Sequence, residues 1–330
     1  MIFGAVARLR RAFYGSGMLT ASRLPRPVLS VGNLAMGGAG KTPHVIHLSK
    51  WLAGTGRRVA ILSRGYGRHG RGVVWVSDDR KTVAGVREGG DEPVLMARSL
   101  PGVPVVVGES RADAGRKVLA RLPVDVFLLD DGFQHLPLER DYDLLLVDCC
   151  RGLGNRRTVP FGGLREPASH ARFADGLVVT KCPDAAAGER VARTVPLREK
   201  RPVACSRLVP RGIVRREGDP PDAFRPGTEI FAFSGLARNG QFRETLETAG
   251  YRVRGFLPFP DHHAYGRSDL ARIARESAGL PVVTTEKDLV RLPGEVPFEV
   301  CALRVEVEYI SGWEDLSRDM LEHLEGGFPR

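Results

Sequence analysis

The sequence predicts an α/β protein: a doubly wound, mostly parallel sheet that carries a phosphate-binding loop, followed by a second, smaller α/β domain. Three observations predict it. Short apolar runs such as "PVLSVGN", "RVAILSRGYG" and "YDLLLVDCC" alternate with helical patterns along the chain. Acidic or glycine-rich residues close several of these runs, at the strand ends where open parallel sheets bind ligands. The first run also leads into "LAMGGAGKTP", a glycine-rich turn that ends in Gly-Lys-Thr.

Taken in order, Pro27 to Asn33 forms the first strand, and "TPHVIHLSKWLAG" has the helical pattern that follows it. Pro43 sits in that helix's first turn, where a missing N–H costs nothing. "RVAILSRGYG" is a second strand and "VPVVVGES" a third, and "VDVFLLDDGFQH", "YDLLLVDCC" and "ADGLVVTKCPD" add three more. Runs this apolar are buried on both faces, which parallel sheets require. Beyond about Lys200 the rhythm restarts with "EIFAFSGLA", the helix "GQFRETLETAG", "YRVRGFLPFPDHH", the helix "SDLARIARESAG", "LPVVTTEKD" and "EVCALRVEVEY". The expected division is a nucleotide-binding domain over 1–200, a smaller α/β domain over 201–310 and a C-terminal helix over 311–330. The arginine-rich stretch Arg211 to Arg225 reads as a surface loop.

Composition sets the class but not the partner. The 330 residues suffice for two domains with full cores, and 42% apolar with 27% charged residues is ordinary for a soluble globular protein. The excess of Lys and Arg (49) over Asp and Glu (39) suits an anionic partner, whether nucleotide, nucleic acid or acidic membrane. No RNA- or DNA-binding module accompanies that charge. Cys149, Cys150, Cys182, Cys205 and Cys301 have no metal-ligand spacing and are odd in number, so they read as reduced cytosolic thiols. No apolar run is long enough to cross a bilayer, and no secretory signal opens the chain. In the first residues, Ile2, Phe3, Val6, Leu9 and Phe13 recur at helical spacing beside Arg8, Arg10 and Arg11. Such a helix either packs on its own domain or lies in a membrane surface.

Chemistry concentrates in a few loops. Gly37, Gly38 and Gly40, with Ala39 among them, let the backbone curl around phosphate as a P-loop. Lys41 then meets the β- and γ-phosphates, and Thr42 is placed for Mg²⁺. Ala35 stands where the usual pattern has its first glycine. Asp130 and Asp131, at the end of an apolar strand, match the carboxylates that hold Mg²⁺ in P-loop enzymes. His135 just beyond is either a phosphate donor or a loop residue. Asp91, in "EGGDEP", is either a helix cap or a general base. Asp261, His262, His263 and Tyr265 share one loop, where neighbouring side chains point apart. Arg165 and Glu166 in "GLREP" and the cations of "SRGYGR" are weaker signals, and "TKCPD" assigns no base specificity.

Taken together and in order, "VGNLAMGGAGKTP", "SRGYGR", "GDEP", "DDGFQH", "LREP", "FPDHHAY" and "TTEKD" resemble the tetraacyldisaccharide 4'-kinase family, over about residues 1–310. The resemblance implies ATP- and Mg²⁺-dependent phosphorylation of the 4'-hydroxyl of tetraacyldisaccharide 1-phosphate, giving lipid IVA. It implies two α/β domains and peripheral attachment to the cytoplasmic leaflet of the inner membrane through the N-terminal helix. It also places Arg165 and Glu166 near triphosphate and metal, beside Thr42, Asp130 and Asp131, and pairs Asp91 with His262 in catalysis. The variant P-loop with Ala35 is then expected. One departure is "VPFGGLREP", where the family usually has a proline before "LREP", so a looser phosphate-facing turn is expected. Against this reading stand a soluble kinase or ligase on the same core, which needs no basic N-terminal segment, and a regulatory NTPase, which needs a water-positioning residue.

Overall fold

The computed structural model describes residues 2–216, 224–236 and 238–326, and the side chains of all of these but 2 and 3. It divides into two compact units, one running to Leu208 and resuming at Val307, the other spanning Val209–Glu306.

The first unit opens with α1 (Ile2–Gly15) and then builds its sheet from β1 (Val28–Asn33), α2 (Lys41–Gly54), β2 (Val59–Ser63) and β3 (Val74–Ser77). The helices α3 (Val86–Gly89) and α4 (Asp91–Ser99) lead to β4 (Val105–Val107), α5 (Arg111–Leu119), β5 (Val126–Asp130) and β6 (Tyr142–Asp148). A 3₁₀ turn at Ala168–Phe173, β7 (Gly176–Thr180), α6 (Ala185–Ala192) and β8 (Val203–Val214) follow. The strand order here is β8-β7-β6-β1-β5-β2-β4-β3. All neighbours from β8 to β4 pair in parallel, and only β3 runs antiparallel, at the edge. The predicted doubly wound sheet is therefore present. Its central strands are apolar on both faces because helices cover both, and every residue of β1, β5 and β6 is buried. The strand order reverses beside β1, so the loop after it sits at the switch point where such sheets bind ligands.

The second unit holds β9 (Glu229–Ser234), α7 (Asn239–Thr248), β10 (Arg252–Pro258), α8 (Arg267–Ser277), β11 (Val282–Thr285) and α9 (Glu286–Arg291). With β12 (Val300–Ser311) they make a parallel sheet in the order β10-β9-β11-β12. Phe233, Phe259 and Tyr265 pack edge to face in its core. The final helix, α10 (Trp313–Glu325), belongs to the first unit. There the Tyr142 hydroxyl donates to Asp319 at 2.7 Å, and Trp313 meets Trp51 of α2 edge to face at 5.1 Å.

The expected loop from Arg211 to Arg225 is corrected in part. Residues 211–214 finish β8, whose β-branched and apolar residues continue the ladder past the last basic interruption. Residues 217–223 lie outside the described residues, as do the side chains of Ile2 and Phe3.

Two glycines bring β1 against the turn that follows β5. A Cβ on Gly32 would lie 2.5 Å from the Phe133 Cβ and 2.7 Å from its backbone nitrogen. One on Gly132 would lie 2.6 Å from the Ser30 Oγ. Gly32→Ala should therefore destabilise the protein by about 1–3 kcal/mol through overpacking. Thermal denaturation measures this, and an unchanged Tm would show that the turn retreats freely.

Candidate active site

The glycine-rich loop is shaped by two left-handed residues. Gly37 has φ 100° and Gly40 has φ 80°, conformations that side chains strain to reach. Ala35 has no positive φ and bridges antiparallel to Leu164, so a methyl group is accommodated where the usual pattern has glycine. The loop ends at the N-terminus of α2, an electropositive place ready for phosphate.

Neighbouring elements brace this loop from several sides. The Met36 N–H donates to the Gly163 carbonyl and the Arg165 N–H to the Leu34 carbonyl, both at 2.7 Å. The turn of "VPFGGLREP", where the missing proline led to an expected looseness, is laced to the loop through these backbone bonds. Thr180 Oγ1 donates to the Ala39 carbonyl at 3.0 Å, and Lys181 Nζ to the Gly38 carbonyl at 2.5 Å and to Asp148 at 3.0 Å. His44 is buried, and its Nδ1 lies 2.7 Å from the Gly40 carbonyl, to which only a protonated nitrogen donates. Its Nε2 then accepts from the Ser206 hydroxyl at 3.0 Å. Burial lowers the His44 pKa to about 4, so the ring is neutral at physiological pH.

Beside the loop lies a charge lattice built from β1, β5 and the "LREP" turn. Lys41 Nζ donates to Asn33 Oδ1 at 3.1 Å and pairs with Asp131 at 3.3 Å. Arg165 grips Asp131 with both nitrogens, at 2.8 and 2.9 Å, and donates to Asn33 Oδ1 as well. Burial pushes Asp131 upward, yet the Arg165 hydrogen bonds and the Lys41 charge prevail and hold its pKa at about 2. Its neighbour fares differently. Asp130 is buried, accepts from Ser63 Oγ at 2.8 Å through Oδ2, and leaves Oδ1 buried with no hydrogen-bond partner among the described residues. Burial, then the charges of Glu92 and Asp131, raise its pKa to about 7. A buried carboxylate oxygen without a hydrogen-bond partner suits a divalent cation.

Glu166 points its Oε2 to Arg11 of α1 at 3.1 Å and to the His170 Nδ1 at 2.9 Å. Burial raises its pKa, but His170 and Arg11 outweigh this and the net shift is downward. Asp91 is the first residue of α4 rather than its cap, a role that falls to Gly90, and its Oδ1 accepts the Glu92 N–H at 2.9 Å. Gly90 has φ 89°, and a Cβ there would lie 3.0 Å from the Tyr66 carbonyl, so "SRGYGR" and "GGDEP" pack backbone to backbone. Glu92 thereby comes close enough to act on Asp130. His135 is pressed to about 3 by burial and by Arg111, Arg140, Arg10 and Arg64, which makes this flank strongly cationic.

In the second unit the two histidines of "PDHH" take different partners. His262 has φ 58° and sits with Nε2 3.2 Å from Lys287 Nζ and Nδ1 3.2 Å from an Arg291 nitrogen. His263 faces Asp269 at 3.0 Å and stacks on Phe259. The loop is anchored by Asp288 of "TTEKD", which accepts from the Tyr265 hydroxyl, the Gly235 N–H and Thr285 Oγ1. Residues missed from the sequence are Asn33, Ser63, His44, Gln134 and Lys181. All five lie inside the motifs and element patterns of the sequence, but nothing in their spacing reveals the partners they find.

Comparison with known proteins shows the family. The family model described as tetraacyldisaccharide-1-P 4'-kinase matches residues 1–325. A relative from Anaeromyxobacter sp. (strain Fw109-5), named tetraacyldisaccharide 4'-kinase, is 42% identical over 99% of this chain and 90% of its own. One of the same name from Geobacter sulfurreducens is 42% identical over 88% of this chain and 82% of its own. The crystal structure of LpxK from Aquifex aeolicus in complex with ATP superposes with a TM-score of 0.81 at 35% identity, covering 98% of this chain and 96% of that one. The chain belongs to the tetraacyldisaccharide-1-P 4'-kinase family.

The raised Asp130 pKa makes a signed prediction. A carboxyl whose folded pKa lies above its ordinary 3.8 stabilises the fold most below that value, and loses the contribution as pH rises through about 7. Between about pH 4 and 7, without nucleotide or metal, the wild type should lose thermal stability relative to Asp130→Asn, and the two should run parallel above that range. Tm profiles of the two proteins that are parallel within it as well would overturn the assignment.

Proposed function

We propose that this member of the family transfers the γ-phosphoryl group of ATP to the 4'-hydroxyl of tetraacyldisaccharide 1-phosphate, giving lipid IVA. The observation that carries the reading is the braced P-loop whose Lys41 meets the Asp131–Arg165 pair, with the unsatisfied oxygen of Asp130 alongside. Phosphoryl transfer asks a protein mainly for positioning and charge. The loop from Gly37 to Gly40 and the N-terminus of α2 receive the phosphates, Lys41 spans the β- and γ-groups, and Arg165 orients both Asp131 and Asn33.

Thr42 and Asp130 would hold Mg²⁺, which supplies positive charge at the β- and γ-phosphate oxygens. Asp131 and Glu166 already receive Lys41, Arg165, Arg11 and His170, and they shape the surroundings of that ion. Asp91 accepts the proton of the sugar hydroxyl as its oxygen bonds to phosphorus and the bond to the ADP oxygen breaks. His262 is assigned to assist Asp91. The cationic flank around His135, with Arg64 and Arg111, suits an acceptor that already carries a phosphate.

The acceptor is a lipid, and the N-terminal segment fits peripheral attachment to the cytoplasmic leaflet of the inner membrane. Val6, Leu9 and Met18 are 58%, 55% and 72% exposed, and the Arg8 side chain is exposed among them. Among the described residues no helix is long and apolar enough to cross a bilayer. Such a segment lies in the interface with its cations on lipid phosphates.

The decisive assay incubates the protein with γ-labelled ATP, Mg²⁺ and tetraacyldisaccharide 1-phosphate in detergent. Label should enter the lipid, and its release only as inorganic phosphate would favour an NTPase instead. Asp91→Asn should lower kcat by roughly 10²–10⁴-fold while ATP affinity stays near wild type, as loss of a general base does. A near-normal kcat would remove Asp91 from that role.

A further inference from the structure

A helix that served only as a membrane anchor would keep its cations at the surface, where long side chains snorkel toward lipid phosphates. Arg11 of α1 does the opposite. Its side chain is only 10% exposed, and one terminal nitrogen donates both to the Phe133 carbonyl at 3.2 Å and to Glu166 Oε2 at 3.1 Å. The guanidinium lies between the rings of Phe133 and Phe173, 5.2 and 4.6 Å from their centroids. The preceding residue, Arg10, donates to the Gln134 carbonyl at 3.2 Å. Two successive arginines of α1 therefore hold two successive carbonyls of the turn that begins at Asp131.

The path from there to the phosphate site is short. Phe133 is two residues beyond Asp131, and Gln134 donates to the Asn33 carbonyl at 3.0 Å. The Asn33 side chain receives both Lys41 and Arg165. Glu166, the other acceptor of Arg11, is the residue after Arg165. Val6 and Leu9 of the same helix remain exposed.

We propose that Arg11 is a positioning residue for phosphoryl transfer: seated between Phe133 and Glu166, it makes the geometry of the Lys41–Asp131–Arg165 lattice depend on the docking of α1. The helix thus couples attachment at the lipid surface to competence of the site, rather than merely holding the protein near its substrate. The inference rests on the kinase reading and the membrane attachment proposed above.

Full-length wild type, Arg11→Lys and Arg11→Met are compared in three measurements. These are transfer to the lipid acceptor in detergent micelles, the KM for ATP, and co-sedimentation with vesicles of phosphatidylethanolamine and phosphatidylglycerol. Arg11→Met should lose about 10- to 100-fold in kcat, with vesicle binding within about twofold of wild type. Arg11→Lys keeps the charge without the planar fork and should fall between the two, a graded rescue that also carries the test if the methionine variant does not fold. Wild-type kcat in both variants would overturn the positioning role, and so would a loss of kcat that merely tracks loss of vesicle binding. Absence of lipid labelling by the wild type would instead overturn the kinase reading, and this proposal with it.

Discussion

Asp130 and Asp131 are adjacent in the chain at the end of a fully buried strand, and the site is organised around keeping their two charges apart. Like charges this close resist ionising together unless cations intervene. Lys41 and Arg165 bear on both through their charge, but the bonds they make go to Asp131. Arg165 and Lys41 converge on Asp131, whereas Asp130 receives a single neutral hydroxyl and stands within reach of Glu92. The asymmetry leaves Asp131 held as an anion and Asp130 with one buried oxygen that has no hydrogen-bond partner among the described residues. Most of the flanking architecture follows from that arrangement: Asn33 accepts both cations, and the "LREP" turn must approach β1 closely enough for Arg165 to reach.

A glycine-rich loop is conformationally free and must be held from outside if it is to receive phosphate without a large ordering cost. Here the restraints come from elements distant in sequence. Backbone bonds from residues 163–165, the Thr180 and Lys181 side chains, and the neutral His44 ring all end on carbonyls or amides between Leu34 and Gly40. The "TKCPD" segment thus acts on the nucleotide loop itself. Its Asp184 caps α6 by accepting from the Ala187 N–H, which leaves that carboxylate engaged in helix geometry.

Much of the fold was legible because its signals are local. Apolar runs with acidic or glycine-rich ends mark parallel strands, and the Gly-Lys-Thr turn after the first of them marks the phosphate loop. The edge strand β3 and the length of β8 were less visible, since a short antiparallel strand and a strand rich in arginine lack the continuous apolar signature. The bonding of the turn before "LREP" was hidden for a similar reason: Gly163 and Arg165 pair with Met36 and Leu34, far off in the chain. Asp91 gave way to Gly90 as the cap of α4 because the close approach to Tyr66 demands a residue without a Cβ.

The sequence by itself determined the sheet class and the family, because each short motif and apolar run that carries them is local, even where the set is spread along the chain. Tertiary structure alone decided which charges meet. Glu166 turns to Arg11 and His170, Arg165 to Asp131, and Lys181 to Gly38, over separations that reach 155 residues. Ionic and hydrogen-bonding partners are chosen by proximity in the folded state, and side-chain chemistry along the chain does not encode that proximity locally.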